Sequence, residues 1–261
     1  MARAIWKGVL RFAGVKIPVR LFSAVEDRDI HFRLLHEKDR TPVRQQLVDP
    51  TSGQEVSYER VQKAYEIARG VFVILQPDEL ADVEPGDSRD IDVARFVAAG
   101  KIGHLWYERP YYLGPERGAE RDYAALAKAL ADADKEGVAR WVMRDREYAG
   151  ALRASGPYLV LIALRHDDEV IAPAELEPPG GGKPAAKELA LAEQLVAALE
   201  KPFDPTDYAD EYRARVQQLI AAKSKGKKPK RARAVRKAEP ASLERALAAS
   251  LAHAGRERKR A

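Results

Sequence analysis

Lysine and arginine side chains crowd one stretch near the C-terminus of this 261-residue chain. Residues 223–237 include nine lysines or arginines, one proline and no acidic residue. Flexible cationic side chains neutralise phosphate groups, and the release of counterions drives such binding without recognition of base sequence. The run therefore predicts a tail that is disordered in isolation and binds nucleic acid. The alternative is a tail that only aids solubility.

No residue pattern indicates catalysis or a bound metal. The five histidines lack metal-ligand spacing, and His31 and His36 fall on opposite faces of a strand. The absence of cysteine excludes disulfides and thiolate metal sites and is typical of a reducing cytoplasm. We predict no enzyme activity, no cofactor and no metal site. The alternative of a metal-dependent nuclease or hydrolase lacks an organised acidic cluster.

The net charge of +5 conceals an asymmetry along the chain. Residues 223–261 hold 14 basic and three acidic side chains, whereas residues 1–222 hold 31 basic and 37 acidic ones. A mildly acidic body with a basic tail is typical of a protein that binds nucleic acid. No run of about 18 apolar residues is present, and the basic run lacks aromatic or leucine anchors. We expect a cytoplasmic protein without a membrane partner.

The first two dozen residues predict two strands, at residues 4–12 and 15–22, joined at a tight turn. Alternation along the first strand puts Trp6 and Leu10 on an apolar face and Lys7 and Arg11 on a basic one. A β-barrel or strongly curved sheet therefore begins here. The alternative is an ordinary hairpin with a solvated basic face.

The rest of the body predicts more strands than helices. Further strands are expected at residues 29–35, 71–75, 90–97, 103–107, 111–113, 138–143 and 158–164. Of these, the uninterrupted apolar run at 71–75 is expected to be buried. Residues 36–46 predict a protruding hairpin or loop, whereas residues 59–67 and 120–135 predict helices, the latter stopped by Gly137. The pattern favours a β-barrel core, mainly β with α, over a doubly wound sheet.

The C-terminal third predicts helices beyond a linker. Residues 178–184 are rich in proline and glycine, and an amphipathic helix follows at residues 187–199. A second helix is expected to begin at Asp204 and Pro205, and both helices would wrap the barrel or pair with a second subunit. A leucine stripe at residues 242–253 predicts a docking helix. The expected organisation is a core over 1–178, a helical segment over 185–222 and a basic tail over 223–261.

Several runs of residues are specific enough to suggest a family. The chain opens with Arg3-Ala-Ile-Trp-Lys-Gly8, followed by Val15-Lys-Ile-Pro-Val19. Related runs continue at Ile30-His-Phe-Arg33, Tyr111-Tyr-Leu113 and Phe203-Asp-Pro205. Over nearly its full length the chain resembles the bacterial Ku proteins, the DNA-end-binding factors of two-component non-homologous end joining.

The resemblance implies a homodimer whose two β-barrels cradle duplex DNA. An arm of each subunit, at about residues 32–69, would close a ring around the duplex and contact phosphates without reading bases. Such a protein would protect and bridge the ends of double-strand breaks, recruit the ATP-dependent DNA ligase of the pathway and associate with the nucleoid. The alternative is a general basic-tailed nucleoid or RNA-binding protein without end specificity.

The resemblance also indicates candidate site residues. The predicted DNA contacts are Lys7, Arg11, Lys16, Arg33, Lys38, Arg40, Arg44, Arg60, Lys63, Lys223, Lys225, Lys227, Lys228, Lys230 and Arg231. The predicted ligase contacts are Leu243, Leu247 and Leu251. Some family members carry a zinc-binding Cys-x-x-Cys-Gly motif in the arm, where this chain has Asp49, Ser52 and Gly53. We therefore expect no zinc and a turn held by hydrogen bonds from Asp and Ser/Thr side chains.

Overall fold

The computed structural model describes residues 3–177, 180 and 182–226. The chain divides into two compact units, residues 1–175 and 176–261. In chain order the strands of the first unit are β1 (Trp6–Phe12), β2 (Val15–Ser23), β3 (Lys63–Ala68), β4 (Val71–Leu75), β5 (Asp90–Ala98), β6 (Tyr107–Pro115), β7 (Lys135–Val142), β8 (Glu147–Ser155) and β9 (Tyr158–Leu164).

Seven of these strands form a closed barrel in the order β1-β2-β6-β9-β8-β7-β5. Neighbouring strands are antiparallel except for β1 and β5, whose parallel pairing closes the barrel. Strands β1 and β2 are joined at Ala13 and Gly14, which both have the positive φ angles required by a two-residue hairpin turn. The predicted barrel class is confirmed.

The barrel interior holds the hydrophobic core of the first unit. Leu10, Trp141 and Leu161 are among the fully buried side chains. The helix α2 (Glu120–Asp132) packs Leu126 onto the same core. Tyr123 of this helix donates a hydrogen bond to the carbonyl of Leu113 in β6 and accepts one from the backbone N–H of Leu159 in β9. The helix is therefore fixed to the barrel by polar as well as apolar contacts.

An extended segment, residues 25–89, leaves the barrel after β2 and returns at β5. It includes the predicted arm at about residues 32–69, and the whole segment is called the arm from here on. It contains the β3–β4 hairpin, the short helix α1 (Pro77–Asp82) and two isolated bridges, Leu35↔Pro42 and Val48↔Glu55. None of the arm residues is buried. The long connection is the structural counterpart of the predicted protrusion.

Several predictions about individual elements were wrong. Residues 29–35 form only one bridge and not a strand, and residues 59–67 form a 3₁₀ turn (Tyr58–Arg60) followed by β3 instead of a helix. The predicted strand at 71–75 exists as β4, but it is exposed because it pairs only with β3, away from the barrel. A 3₁₀ turn (His104–Trp106) precedes β6 where a strand was expected.

Strand β8 escaped prediction, and Gly137 lies inside β7 instead of ending α2. The small residues of β8 have low β-propensity, yet a small residue is required there. A Cβ at Gly150 would lie 2.5 Å from the ring of Trp141. Packing against the core tryptophan therefore explains why glycine occupies a strand whose sequence has little intrinsic strand preference.

The second unit contributes two helices, α3 (Ala186–Leu199) and α4 (Glu211–Ser224). Asp204 and Pro205 begin a 3₁₀ turn (Pro205–Tyr208), not the predicted second helix. That helix begins later because Asp210 provides its N-cap, accepting a hydrogen bond from the backbone N–H of Arg213. None of the described residues in this unit is buried, and none of the described helices in either unit is long and apolar enough to span a membrane. The predicted docking helix at 242–253 and residues 227–261 lie outside the described residues.

Candidate nucleic-acid interface

Two predicted DNA contacts on β1 are neutralised by carboxylates. Lys7 lies on the outer face of the barrel, with its Nζ atom 3.0 Å from Glu116 Oε1. Arg11 donates a hydrogen bond to Asp90, and its Nε atom lies 3.9 Å from Asp92 Oδ1. The hydrogen bond to Asp90 and the charge of that residue raise the pKa of Arg11. These two cations therefore have acidic partners within the barrel itself.

Lys16 and Arg20 of β2 are the cations of this face that have no acidic partner among the described residues. Lys16 is exposed and lies opposite Arg11 across the hairpin. Arg20 donates a hydrogen bond to the carbonyl of Pro115 at 3.1 Å and lies over the ring of Phe22. Arg20 was absent from the predicted contacts, although its spacing of four residues from Lys16 places both on one strand face.

Six predicted contacts, the arm cations, lie on the exposed arm. They are Arg33, Lys38, Arg40, Arg44, Arg60 and Lys63, and none of them forms an ion pair with a described residue. An unpaired, solvated cation can exchange its counterions for a phosphate without breaking an internal contact. Of the four outward-facing cations of β1 and β2, Lys7 and Arg11 are paired, whereas the six predicted arm cations are not. Another arm residue, Arg28, pairs with Glu26.

Aspartate side chains hold the turns between the arm cations. Asp39 accepts hydrogen bonds from the backbone N–H and the hydroxyl of Thr41 and contacts His36 Nδ1 at 2.9 Å. The two hydrogen bonds from Thr41, followed by the contact with His36, lower the pKa of Asp39. These bonds fix the tight turn that presents Lys38 and Arg40. Arg40 itself has a positive φ of 59° within this turn.

A second turn occupies residues 49–53, where the resemblance led us to expect a hydrogen-bonded turn in place of a zinc motif. Asp49 accepts hydrogen bonds from the backbone N–H of Thr51 at 2.9 Å and from the hydroxyl of Ser52 at 2.8 Å. These bonds lower the pKa of Asp49, and the positive φ of Gly53 completes the turn. The predicted hydrogen-bonded turn is confirmed. Among the described residues there is no cluster of side chains that could hold a metal ion.

The arm also exposes apolar side chains on its β3–β4 hairpin. Tyr65 and Ile67 of β3 and Phe72 and Ile74 of β4 are each more than half exposed. An isolated two-stranded hairpin is marginally stable in water, and a large exposed apolar patch is typical of an interaction surface. By the register Tyr65 lies opposite Val73 and Phe72 opposite Glu66, so the hairpin exposes apolar side chains on both of its faces and not as one patch. Either face is suited to contact with another protein chain.

The tail is described only at its beginning. Lys223 lies in the last turn of α4 and Lys225 directly follows the helix, both exposed to solvent. The predicted contacts Lys227, Lys228, Lys230 and Arg231, and the predicted ligase contacts Leu243, Leu247 and Leu251, lie outside the described residues. Their roles stay predictions.

Comparison with known proteins connects the barrel and its arm to one family. The Ku family model, for the Ku70/Ku80 beta-barrel domain, matches residues 11–193. The chain belongs to the Ku family. Non-homologous end joining protein Ku of Anaeromyxobacter sp. (strain K) is 39% identical to this Ku chain over 262 residues, covering 98% of this chain and 87% of the relative.

Relatives of this Ku chain occur in both bacteria and archaea. Non-homologous end joining protein Ku of Solibacter usitatus is 34% identical over 260 residues, covering 100% of this chain and 97% of the relative. The protein of the same name from Archaeoglobus fulgidus is 35% identical over 228 residues, covering 86% and 89%. The matches to the Anaeromyxobacter and Solibacter proteins include the barrel, the arm and the helices of the second unit.

Proposed function

We propose that this Ku chain binds the ends of double-stranded DNA without sequence preference, as a ring-shaped homodimer in non-homologous end joining. The observation that carries the proposal is the arm, which leaves the closed barrel between β2 and β5 and bears the six predicted cations, none of them in an ion pair with a described residue. An arm of this kind can follow the phosphate backbone of a duplex while the barrel stays folded. Phosphate contacts position a protein on DNA but carry no sequence information.

The exposed β3–β4 hairpin supports the homodimeric part of the proposal. Its apolar side chains include Phe72 and Ile74, and a second copy of the chain would cover them. Closed homodimers with self-complementary interfaces are the commonest assemblies of soluble proteins. Two arms joined in this way would enclose a duplex, so the protein would load from a DNA end.

Protection and bridging of DNA ends and recruitment of an ATP-dependent ligase complete the proposed role. The names of the relatives, non-homologous end joining protein Ku, support the pathway, and the resemblance supports the assignment of ligase contacts to Leu243, Leu247 and Leu251. The tail cations would add a sequence-independent contribution to DNA affinity. The protein would act by binding and not by catalysis.

Competition between linear and closed circular DNA of the same sequence tests the proposal. Loading from ends predicts that linear DNA competes far better than covalently closed circles at moderate salt. Equal competition by both forms would contradict end binding and favour a general nucleic-acid-binding protein. Linear DNA with hairpin-capped ends is the matched control for shape and supercoiling.

A further inference from the structure

An aromatic groove lies on the outer wall of the barrel. Phe22, Tyr112 and Tyr158 line a cavity of about 530 Å³ that also includes Gly114 and Ser155. An adjoining cavity of about 370 Å³ shares Tyr112 and Ser155 and extends to Arg153 and Ala24. The two cavities adjoin at Tyr112 and Ser155 and are together called the aromatic groove, which is lined by residues of β2, β6, β8 and β9.

Backbone pairing fixes the side chains of this aromatic groove. Phe22 lies opposite Tyr112, Tyr112 opposite Val160, and Val160 opposite Arg153, so one row crosses four strands. The rings of Tyr112 and Tyr158 meet edge to face, with centroids 6.1 Å apart. The groove is therefore preformed, which lowers the entropic cost of binding a ligand.

The tyrosine rings of the groove remain accessible. Tyr112 and Tyr158 are 44% and 57% exposed, respectively. Gly114 provides room beside them, since a Cβ at this position would lie 3.1 Å from the ring of Phe22. Flat and partly exposed aromatic faces are the surfaces on which proteins stack unpaired nucleobases.

The charge at the groove is basic. Arg20 covers Phe22, with its Cζ atom 5.8 Å from the ring centroid, and Arg153 lines the opposite end. Arg153 lies 4.0 Å from Glu136, but that carboxylate is buried and accepts hydrogen bonds from the Tyr107 hydroxyl and the Gly100 N–H. No acidic residue lines either cavity within the described part of the chain. A ligand with apolar faces and negative charge complements this surface.

The position of the groove relates it to the arm. Ala24, which lines the smaller cavity, immediately precedes the first residue of the arm. The aromatic groove therefore lies next to the point where the arm leaves the barrel. An apolar peptide is the competing occupant, but two guanidinium groups beside partly exposed aromatic rings match a base joined to phosphates more closely.

We propose that the aromatic groove binds an unpaired nucleotide at a DNA end. Its base would stack on Tyr112 or Tyr158, and Arg20 and Arg153 would face the adjoining phosphates. This inference rests on the proposed function, and it adds a separate site for single-stranded overhangs. Blunt ends would engage the arm alone.

Photocrosslinking of the full chain tests this site. The probe is a duplex whose single-stranded overhang carries 5-iodouracil, which reacts with an aromatic ring stacked against it. We expect crosslinks at Tyr112, Tyr158 or Phe22, and about tenfold or more tighter binding of the overhang duplex than of a blunt duplex. The variants Tyr112→Leu and Tyr158→Leu should lose the crosslink and this preference while binding blunt duplex as the wild type does.

The control variant is Phe96→Leu, which alters a partly exposed barrel aromatic outside the groove. It should keep both the crosslink and the preference for overhangs. Normal blunt-duplex binding without a crosslink in the groove would overturn the inference and favour an apolar peptide as occupant. Loss of blunt-duplex binding in either groove variant would also overturn it, because the groove would then not be a separate site. Failure of the wild-type chain to bind blunt duplex would instead overturn the proposed function.

Discussion

Arg11 in β1 donates a hydrogen bond to Asp90, the first residue of β5, which lies 79 positions further along the chain. The bond spans the one parallel strand pair of the barrel, where Val9 lies opposite Asp90. Asp90 is also where the chain re-enters the barrel after the arm. The ion pair therefore ties barrel closure to the fixed end of the arm, which gives Arg11 a structural role apart from DNA.

Neutralising Arg11 should affect stability more than DNA binding. The variant Arg11→Gln is expected to lower the melting temperature while leaving the salt dependence of DNA affinity unchanged. Lys16→Gln is the matched control on the same face. It should reduce the salt dependence of DNA affinity and leave the melting temperature nearly unchanged. A decrease of about one unit in the logarithmic salt slope for Arg11→Gln, the value of one phosphate contact, would contradict this assignment.

Neutralising the arm cations should weaken DNA binding without destabilising the protein. Combined replacement of Arg33, Lys38, Arg40 and Arg44 by glutamine should lower the salt slope by about one unit for each phosphate that the variant no longer neutralises. The melting temperature should stay unchanged, because none of these side chains forms an ion pair with a described residue. Arg121→Gln, on the exposed side of α2, is the control. An unchanged slope in the quadruple variant would remove the arm from the interface.

Acid should loosen the turns of the arm before the barrel unfolds. Hydrogen bonds lower the pKa values of Asp39 and Asp49 in the folded protein, so these carboxylates contribute stability above the unfolded aspartate pKa of about 3.9. That contribution is lost as the pH falls through the lower folded pKa values. The protection factors of the Thr41 and Thr51 amides should fall steeply below about pH 4, and Asp39→Asn and Asp49→Asn should lower them already at neutral pH. Protection factors that stay unchanged at both threonines over the same fall in pH would contradict this prediction.

Polar substitution of the hairpin should weaken self-association. The double variant Phe72→Ser and Ile74→Ser removes apolar side chains whose burial contributes about 1.5–3 kcal/mol each, so the dimer dissociation constant should rise at least about tenfold. Sedimentation equilibrium gives this constant, and the barrel should melt as before because both residues are exposed. Val83→Ser, another exposed arm residue, is the control. An unchanged constant would mean that the dimer forms through another surface.

The hydroxyl of Tyr123 should be important for barrel stability. Tyr123→Phe leaves the carbonyl of Leu113 and the N–H of Leu159 without their shared partner. Each unsatisfied buried group costs about 1–3 kcal/mol, so we expect a loss of about 2–4 kcal/mol in the free energy of unfolding, measured in urea. Tyr58→Phe, at a highly exposed arm tyrosine, should have no effect. Equal stability of the two variants would show that water replaces the hydroxyl.

The sequence predicted the barrel strands whose side chains alternate or are strongly apolar. Leu10 and Lys7 of β1 fall on the expected faces, and β9 is an apolar run at the expected place. Strand β8 was missed because its small residues have low β-propensity, and one of them, Gly150, is required by the ring of Trp141. Tertiary packing determined that strand.

Prediction failed most in the arm, where local pattern and environment disagree. The run at Val71–Leu75 has the composition of a buried strand, yet it lies exposed on a two-stranded hairpin. Apolar composition indicates that a surface will be covered, but not whether the same chain covers it. Likewise, residue type alone was enough to predict the basic residues of the site. The pairing of Arg11 with Asp90 could not be predicted, because it depends on barrel closure, which brings distant positions together.

Topological trapping tests the central claim most directly. Linear DNA is loaded with the protein, its ends are joined by a ligase, and the closed circles are challenged with high salt. A ring threaded onto the duplex predicts that protein remains on the circles and is released when a restriction enzyme reopens them. Release by salt from closed circles and linear DNA alike would show that charge alone holds the protein, and would contradict the ring.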